Sequence, residues 1–510
     1  MTPDGGGPDL NGPGGEGGSG LDLGALGREL AGAADGAADG ARLRPLGLGR
    51  VVTGAGAVAG LAGVAAGLCP PGREVVVLAA ATPMSAGGRD LRAAVEEALA
   101  ARFAVRWVTV GPGDGVVHAD EPTLAAAAAA TAGAACVVTV GSGTITDIGK
   151  VTAGDGAPLV AVQTATSVNG YADPFSVLLR GGVKRTAASR WPDVLVIDPE
   201  VLRDAPPDLN RAGAGDMMAM FTANADWYLA WAVLGAAPPG QPGDPPYHPA
   251  VAGLVRARGP QLLALAAGLG PGAAPDADRS GGHAPARPGP GLLAELAGLL
   301  TLSGIAMGVA GSTAPASGME HAISHLLEMA ATARGEPGSF HGTQVGVASI
   351  VAARTWAHVL RRVADGGLDR PARLPDPDAA RDRITRAFAA VDPGGDMAAE
   401  CFTDYARKLR RLGSAGGPGG PLAGLRASWA AHRDVLDGLL VEPAVIAGAL
   451  RAAGLPARFR DLPEPVGDET ARWAVASCAL QRQRFGVADL AMLLGAWDDA
   501  DVDAVLDGLT

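Results

Sequence analysis

The chain has 510 residues, 48% of them hydrophobic and only 4% aromatic, enough for a sizeable core and, by length, two or three domains. A net charge of −12 gives an acidic, solvated surface, which argues against nucleic-acid partners because phosphate contacts need a basic face. The four cysteines, Cys69, Cys136, Cys401 and Cys478, show no CxxC spacing and read as buried free thiols in a reducing, cytoplasmic compartment.

The opening "MTPDGGGPDLNGPGG" has no basic region and no apolar run, so it does not read as a signal peptide. Residues 1–20 are too poor in apolar groups to pack and read as a disordered tail, with a lead-in that ends near residue 44. Regular patterning then begins. "EVVVLAAAT" (74–82) reads as a buried strand, "DLRAAVEEALAARF" (90–103) as a helix, "VRWVTVG" (105–111) as a strand and "EPTLAAAAAATAGA" (121–134) as a helix. "ACVVTVGSGTITDIGK" (135–150) reads as strand, Gly-rich turn and helix start, and "PLVAVQTATS" (158–167) as a further strand. This alternation predicts an α/β domain over 45–200, a parallel sheet with helices on both faces.

Beyond residue 200 the apolar-periodic segments 216–236, 293–310, 319–333, 344–364, 428–453 and 469–497 predict an all-α domain over 201–510. Leu296–Gly318 carries no charge and is long enough to cross a bilayer, but its Gly, Ser, Thr and Pro content reads as a buried core helix without membrane insertion. Two inserts, 235–249 and 269–291, read as solvated excursions, which makes His248 and His283 poor candidates for chemistry.

Four stretches could carry chemistry. In "VVTVGSGTITDIGK" a Gly-rich turn follows a strand, and Gly141 and Gly143 would let backbone N–H groups approach a phosphate at the following helix N-terminus. A plain structural turn, with Lys150 solvated, fits the same residues. "QTATSVNGYADPFSVLL" (163–179) lies where ligands sit in open α/β sheets, or is a capped turn. In "NRAGAGDMMAMFTANADWYLA" (210–230) Asp216 is either a helix N-terminal carboxylate or a ligand, and Asp226 reads as a surface or capping residue. "GMEHAISHLLEM" (319–330) sets His321 and His325 on one helix face, and His341 opens "HGTQVG". One carboxylate and two imidazoles can hold a divalent ion with a position left open, and Asp216, His321 and His341 could provide them.

Taken in order, "GSGTITDIGK", "TATSVNGYAD", "RAGAGD", "GSTAPASGMEHAISH" and "HGTQVG" resemble the sn-glycerol-1-phosphate dehydrogenases. These belong to the superfamily of iron-containing alcohol dehydrogenase, glycerol dehydrogenase and dehydroquinate synthase. The resemblance covers about residues 45–510 and includes the terminal "ARWAVASCALQRQRFGVADLAMLLG". It implies a dehydroquinate synthase-like two-domain fold with the active site in the cleft, NAD or NADP, one divalent ion (Zn, Ni or Fe) and a homo-oligomer. It places Asp216, His321 and His341 on the metal ligands and His325 on a substrate-contacting imidazole. Gly141, Ser142, Gly143, Thr144 and Ile145 fall on the pyrophosphate site, and Asp147, Thr164 and Ser167 on further cofactor contacts. Asn169 stands where the family has a substrate-binding Asp, and Asp173 where it has a cofactor-contacting Ser.

The implied activity interconverts a small polyol phosphate and its ketone, glycerol 1-phosphate and dihydroxyacetone phosphate or a close analogue. Two other readings stand beside it. A dehydroquinate synthase-like lyase or cyclase would act on a sugar phosphate, although that branch has Glu where this chain has Asp216. A catalytically inactive binding protein of the same fold is suggested by Asn169 and Asp173. The strand 74–82 ends with neither an acidic residue for a ribose hydroxyl nor an Arg for a 2′-phosphate, so NAD and NADP stay open.

Overall fold

The valine-rich segments of the N-terminal half pair into one sheet in the computed structural model, which describes residues 21–35, 43–113, 116–154, 156–180, 183–235, 243, 245–271, 287–415 and 419–510. Its strands are β1 (Arg50–Thr53), β2 (Glu74–Ala79), β3 (Ala104–Thr109), β4 (Cys136–Gly141), β5 (Leu159–Gln163) and, after an antiparallel hairpin of β6 (Phe175–Arg180) and β7 (Val183–Ala188), β8 (Val194–Ile197). The sheet order is β1-β8-β5-β4-β2-β3, parallel throughout. Alternation along each strand sends side chains to opposite faces. Val75, Val77, Val138 and Val160 meet Leu91, Val95 and Leu99 on one face, while Val76, Leu78, Val137 and Leu159 meet Ile145 and Ile148 on the other. The order reverses between β2 and β4, and ligands bind outside the carboxyl ends of strands at such a switch point.

The helices that frame the site are α1 (Leu23–Asp35), α2 (Leu61–Ala66), α3 (Leu91–Ala100), α4 (Glu121–Thr131), α5 (Gly143–Thr152), α6 (Pro199–Asp204), α7 (Pro207–Met217), α8 (Ala223–Leu234), α9 (Pro249–Arg256), α10 (Gly259–Leu269), α11 (Pro290–Ala310), α12 (Met319–Arg334) and α13 (His341–Ala364). Further helices complete the C-terminal half up to Asp499–Leu506. Helix α11 is long and apolar enough to span a membrane, and Leu296 to Ala310 are almost all buried among neighbouring helices, as a core helix requires.

Several expectations are corrected. Part of the lead-in before residue 45 is helical: α1 seats Leu26 and Leu30 in the C-terminal core, an apolar i, i+4 pair that the Gly-rich surroundings obscured. Strands β1 and β8 and the β6–β7 hairpin went unread, being short or mixed in polarity. The segment 428–453 is two helices, broken before Pro443, and 469–497 is split by a 3-10 turn at Cys478–Leu480. His248 is not solvated: it is 2% exposed and opens α9, next to Tyr247, which packs on Trp227 and Tyr228. His283 and residues 1–20 lie outside the described residues. The cysteines are free and buried.

Asp226 is likewise no surface residue. It is 1% exposed and accepts hydrogen bonds from the Met319 N–H at 2.8 Å, the Val487 N–H at 3.0 Å and the Trp356 Nε1 at 3.2 Å, tying α8 to α12, α13 and the last helices. Burial, and then the neighbouring Glu320 carboxylate, push its carboxyl up to about 7 from 3.8. Between those values the folded protein holds a proton that the unfolded chain has released, so this group makes stability fall as pH rises from about 4 to about 7. Asp226→Asn should therefore gain on the wild type between about pH 5 and about pH 8, read from urea midpoints of the metal-free proteins. A pH-independent difference would refute this.

Glycines let the domains' helices close. A Cβ on Gly213 would lie 1.9 Å from the Thr166 carbonyl oxygen, one on Gly215 2.3 Å from that of Gly342, and one on Gly342 2.0 Å from that of Ala212. Helix α7 therefore meets both the 163–169 loop and the start of α13 backbone to backbone. Gly342→Ala must push α7 and α13 apart, and we expect a loss of about 1–3 kcal/mol or more. Gly448→Ala, where a Cβ meets nothing within 4 Å in a helix, should be neutral or stabilising by about 0.5–1 kcal/mol. Equal urea midpoints for the two variants would contradict the close crossing.

Candidate active site

A crevice of about 690 Å³ runs from the carboxyl ends of β2 and β4 to α12 and the start of α13. Ser142, Gly143, Thr144, Ile145, Ser167, Val168, Asn169, Asp216, His321, His325 and His341 line it, so most of the predicted positions converge. Val177, Lys184 and Thr186 of the hairpin close one side, and Thr313, Ala316 and Ser317 close the far end.

The α5 end has the features of an anion cradle. Ser142 sits at the N-cap without spending its hydroxyl on a cap bond, and the helix N-terminus opens on the crevice. A Cβ on Gly141 would lie 2.6 Å from Ile145 Cγ1, and one on Gly143 2.7 Å from Val168 Cγ2, so larger residues would fill the turn. Tyr171 donates its hydroxyl to the Gly141 carbonyl at 3.2 Å and braces the turn from beneath.

Four of the predicted cofactor contacts are placed differently from the rest. Gly141 and Thr164 are buried and are not among the residues lining the crevice. Asp147 and Asp173 edge the crevice, but both Asp147 oxygens and the Asp173 Oδ1 are engaged within the protein. Lys150, far from solvated, is 2% exposed and meets Asp173 Oδ1 at 3.0 Å, Asp147 Oδ1 at 3.4 Å and the Phe175 carbonyl at 2.7 Å, with Gly170 O as a further acceptor. Asp147 Oδ2 accepts from the Val177 N–H at 3.0 Å, and Asp173 Oδ1 from that of Phe175 at 2.7 Å. Burial raises both carboxyls, Asp147 to about 7, against the pull of Lys150. This buried triad fastens α5 to the hairpin, and it shows how an Asp at 173 can sit near an anion site: its charge faces Lys150.

The candidate metal-ligand set is drawn together by α7, α12 and α13. Asp216 lies at the C-terminal end of α7, not at a helix N-terminus, 2% exposed. Its Oδ2 accepts from the Asn169 N–H at 3.2 Å, while Oδ1 is buried without a hydrogen-bond partner. That oxygen faces His321 Nε2 at 3.4 Å and His341 Nε2 at 3.9 Å, and one ligand atom from each of the three falls within 4.8 Å of the others. A buried carboxylate at the negative end of a helix is unfavourable without a cation. The orphaned oxygen and the mixed N/O donors thus fit a divalent ion.

Two carboxylates that the sequence reading did not single out complete this centre. Glu320 Oε1 lies 3.0 Å from His321 Nδ1, and Glu328 Oε1 lies 3.1 Å from His341 Nδ1. Each holds the Nδ1 proton of its imidazole and so turns Nε2 toward Asp216, the usual arrangement behind metal-bound histidines. The signal was available: Glu328 is three residues beyond His325 on the same helix face. Burial alone would lower His321, but Asp216 and Glu320 outweigh it and push the ring up to about 9, so a proton competes with any ion there. Burial and then His341 drive His325 well below its usual range, leaving it neutral. Its ring stands 6.3 Å from that of His321 and 5.5 Å from that of His341.

The two helical histidines should therefore separate in a metal assay. After dialysis against zinc, His321→Ala should hold no ion above background, while His325→Gln keeps the wild-type stoichiometry. Equal loss from both would show that they do one job.

The geometry agrees with three kinds of relative. Residues 52–206 match the family model described as iron-containing alcohol dehydrogenase. A glycerol-1-phosphate dehydrogenase (NAD(P)+) from Haloquadratum walsbyi is 30% identical over 268 residues, 49% of this chain and 69% of the relative. Those of Bacillus velezensis and Bacillus subtilis are 29% and 30% identical over 263 residues, covering 52% and 51% of this chain. The chain spans little more than half the length of these two, 56% and 55%. A probable glycerol dehydrogenase from Sinorhizobium meliloti superposes over 90% of this chain and 96% of its own with a TM-score of 0.54 at 16% identity. Maleylacetate reductase from a Rhizobium species does so over 90% and 95%, with a TM-score of 0.51 at 18% identity, and both share the two-domain fold. On its motifs, its fold and these relatives, the chain belongs to the glycerol-1-phosphate dehydrogenases, within the iron-containing alcohol dehydrogenase family.

Proposed function

We propose that the chain is a metal-dependent, NAD(P)-linked dehydrogenase that interconverts glycerol 1-phosphate, or a close polyol phosphate, and its ketone. The observation that carries this is the orphaned, buried Asp216 Oδ1 facing two Nε2 atoms at the end of a crevice that begins in an anion cradle. When bound, the ion supplies Lewis acidity and the nicotinamide carries the hydride.

The chain's own residues would do the rest. Asp216, His321 and His341 hold the ion, zinc, nickel or iron. The backbone of Gly141–Ile145 and the free Ser142 hydroxyl bind the pyrophosphate, with Ser167 beside them. Asn169 donates Nδ2 to Ser303 Oγ at 3.1 Å, which leaves Oδ1 to accept from a substrate hydroxyl. An Asp there would bring a charge; Asn orients without one. His325, neutral and one turn beyond His321, takes or returns a proton at a ring nitrogen. Among the described residues lining the crevice, Lys184 is the one lysine or arginine, and its Nζ meets Glu328 Oε2 at 2.8 Å. Buried free thiols fit the cytoplasm. The homo-oligomer rests on the family resemblance.

The test is direct. Full-length protein loaded with zinc, nickel or iron, given dihydroxyacetone phosphate with NADH or NADPH, should consume the nicotinamide absorbance, and stripping the ion with a chelator should abolish this reversibly. No consumption by any fully metallated form would sink the proposal, and release of phosphate from a sugar phosphate would replace it with the lyase reading.

A further inference from the structure

The β6–β7 hairpin belongs to the nucleotide-binding half by chain order and by its bonds to α5. The Ser176 hydroxyl donates to the Asp147 carbonyl at 3.3 Å, and the Val177 N–H to Asp147 Oδ2 at 3.0 Å. Yet its outer strand reaches the helical half through charge. Lys184 Nζ lies 2.8 Å from Glu328 Oε2 on α12, and Arg185 Nε 2.6 Å from Glu400 Oε1 on the helix Asp396–Ser414. The other oxygen of the same Glu328 meets His341 Nδ1. One carboxylate thus has one oxygen on each domain's partner: a hairpin cation and a metal-ligand imidazole.

We propose that Lys184 and Glu328 form an interdomain positioning pair that orients His341, so that affinity for the divalent ion depends on how the hairpin is seated. Several rotatable bonds separate the Glu328 carboxylate from the helix backbone, and with Oε1 alone engaged it could swing about the His341 contact. The Lys184 bond to Oε2 fixes the plane of the carboxylate and hence the lone pair that receives the Nδ1 proton. Both side chains are well covered, Glu328 with 12% and Lys184 with 31% of the side chain exposed, so the bond is less screened than an open surface pair. Ser324 Oγ, 3.2 Å from the same Nδ1, offers a second and uncharged contact, bonded in turn to Gln344. It would let the ring rotate off Glu328 when Lys184 is gone. The hairpin is fastened to α5 by the Lys150 triad, so the pair also places the pyrophosphate helix and the metal ligands in one bonded network.

This inference rests on the metal centre proposed above. A different arrangement of the same atoms competes with it: one ligand atom from each of His325, Glu328 and His341 also falls within 4.8 Å, a set in which Glu328 would itself be a ligand.

The experiment measures zinc affinity of the full chain by competition with a chromophoric chelator, for the wild type, Glu328→Gln, Lys184→Met, Lys184→Arg and the Glu328→Gln/Lys184→Met double variant. Circular dichroism and melting check each fold, and Glu328→Asp replaces Glu328→Gln if the latter does not fold. We expect Glu328→Gln to weaken zinc by about 10–100-fold and Lys184→Met to weaken it several-fold in the same direction. Lys184→Arg should stay near the wild type, and the double variant should match Glu328→Gln alone, because residues acting through one contact are not additive. Lys184→Met within about twofold of the wild type, or effects that multiply in the double variant, overturns the pair. A second zinc equivalent in the wild type that Glu328→Gln abolishes, with the first unchanged, makes Glu328 a ligand and overturns it too. A wild type that binds no divalent ion overturns both this inference and the metal reading. Zinc binding with no dehydrogenase activity overturns only the proposed function.

Discussion

The approach of α7 to α13 without side chains between them is the constraint on which the site depends. Asp216 and His341 are 125 positions apart in the chain, and they meet because Gly215 and Gly342 let one helix backbone lie against the other. Gly213 does the same against the loop that carries Asn169, whose N–H then reaches Asp216 Oδ2. A Cβ at any of the three would collide with a backbone oxygen, which cannot rotate away as a side chain could. The motifs "RAGAGD" and "HGTQVG" are thus packing motifs first: their glycines set the distance, and Asp216 and His341 stand next to them.

Around that crossing the protein buries more charge than its core can hold cheaply, and each charge is answered. Lys150 sits among Asp147, Asp173 and two carbonyls; Lys408 meets Asp489 at 2.6 Å; Asp226 takes three N–H donors. Breaking such a pair leaves one group charged, buried and alone, which costs far more than the pair itself contributes. These networks fasten α5 to the hairpin and α8 to α12, the elements that bear the Gly-rich turn and the two helical histidines. Asp216 Oδ1 stands apart, a buried carboxylate oxygen with no hydrogen-bond partner, where the candidate ligand atoms converge.

Much of this was readable in advance because periodicity and local chemistry are written in consecutive residues. The runs at 75–79, 136–141 and 159–163 are buried on both faces, so they appear as mainly apolar stretches, and the helices α11, α12 and α13 carry strong patterns. What failed has a common cause. Strands β1 and β8 have four residues each and the hairpin is mixed in polarity, so their identity comes from the neighbours they pair with. Lys150, His248 and Asp226 were read as solvated or superficial because polarity usually means exposure. For Asp226 and Lys150 burial is made tolerable by partners from other elements, whereas His248 is buried with both ring nitrogens unbonded beside Tyr247.

The sequence by itself determined the residue types of the candidate site and their order along the chain, down to one helical turn that carries both His321 and His325. Only the tertiary structure decided that Glu320 and Glu328 stand behind two imidazoles, that Asp173 turns its charge toward Lys150, and that Lys184 reaches across to α12. Those facts depend on which atoms lie within about 3 Å of one another across long stretches of chain, and hydrogen bonds and ion pairs are that short-ranged. Spacing along a helix can place two side chains on one face, but which oxygen faces which nitrogen is set by how separate elements pack.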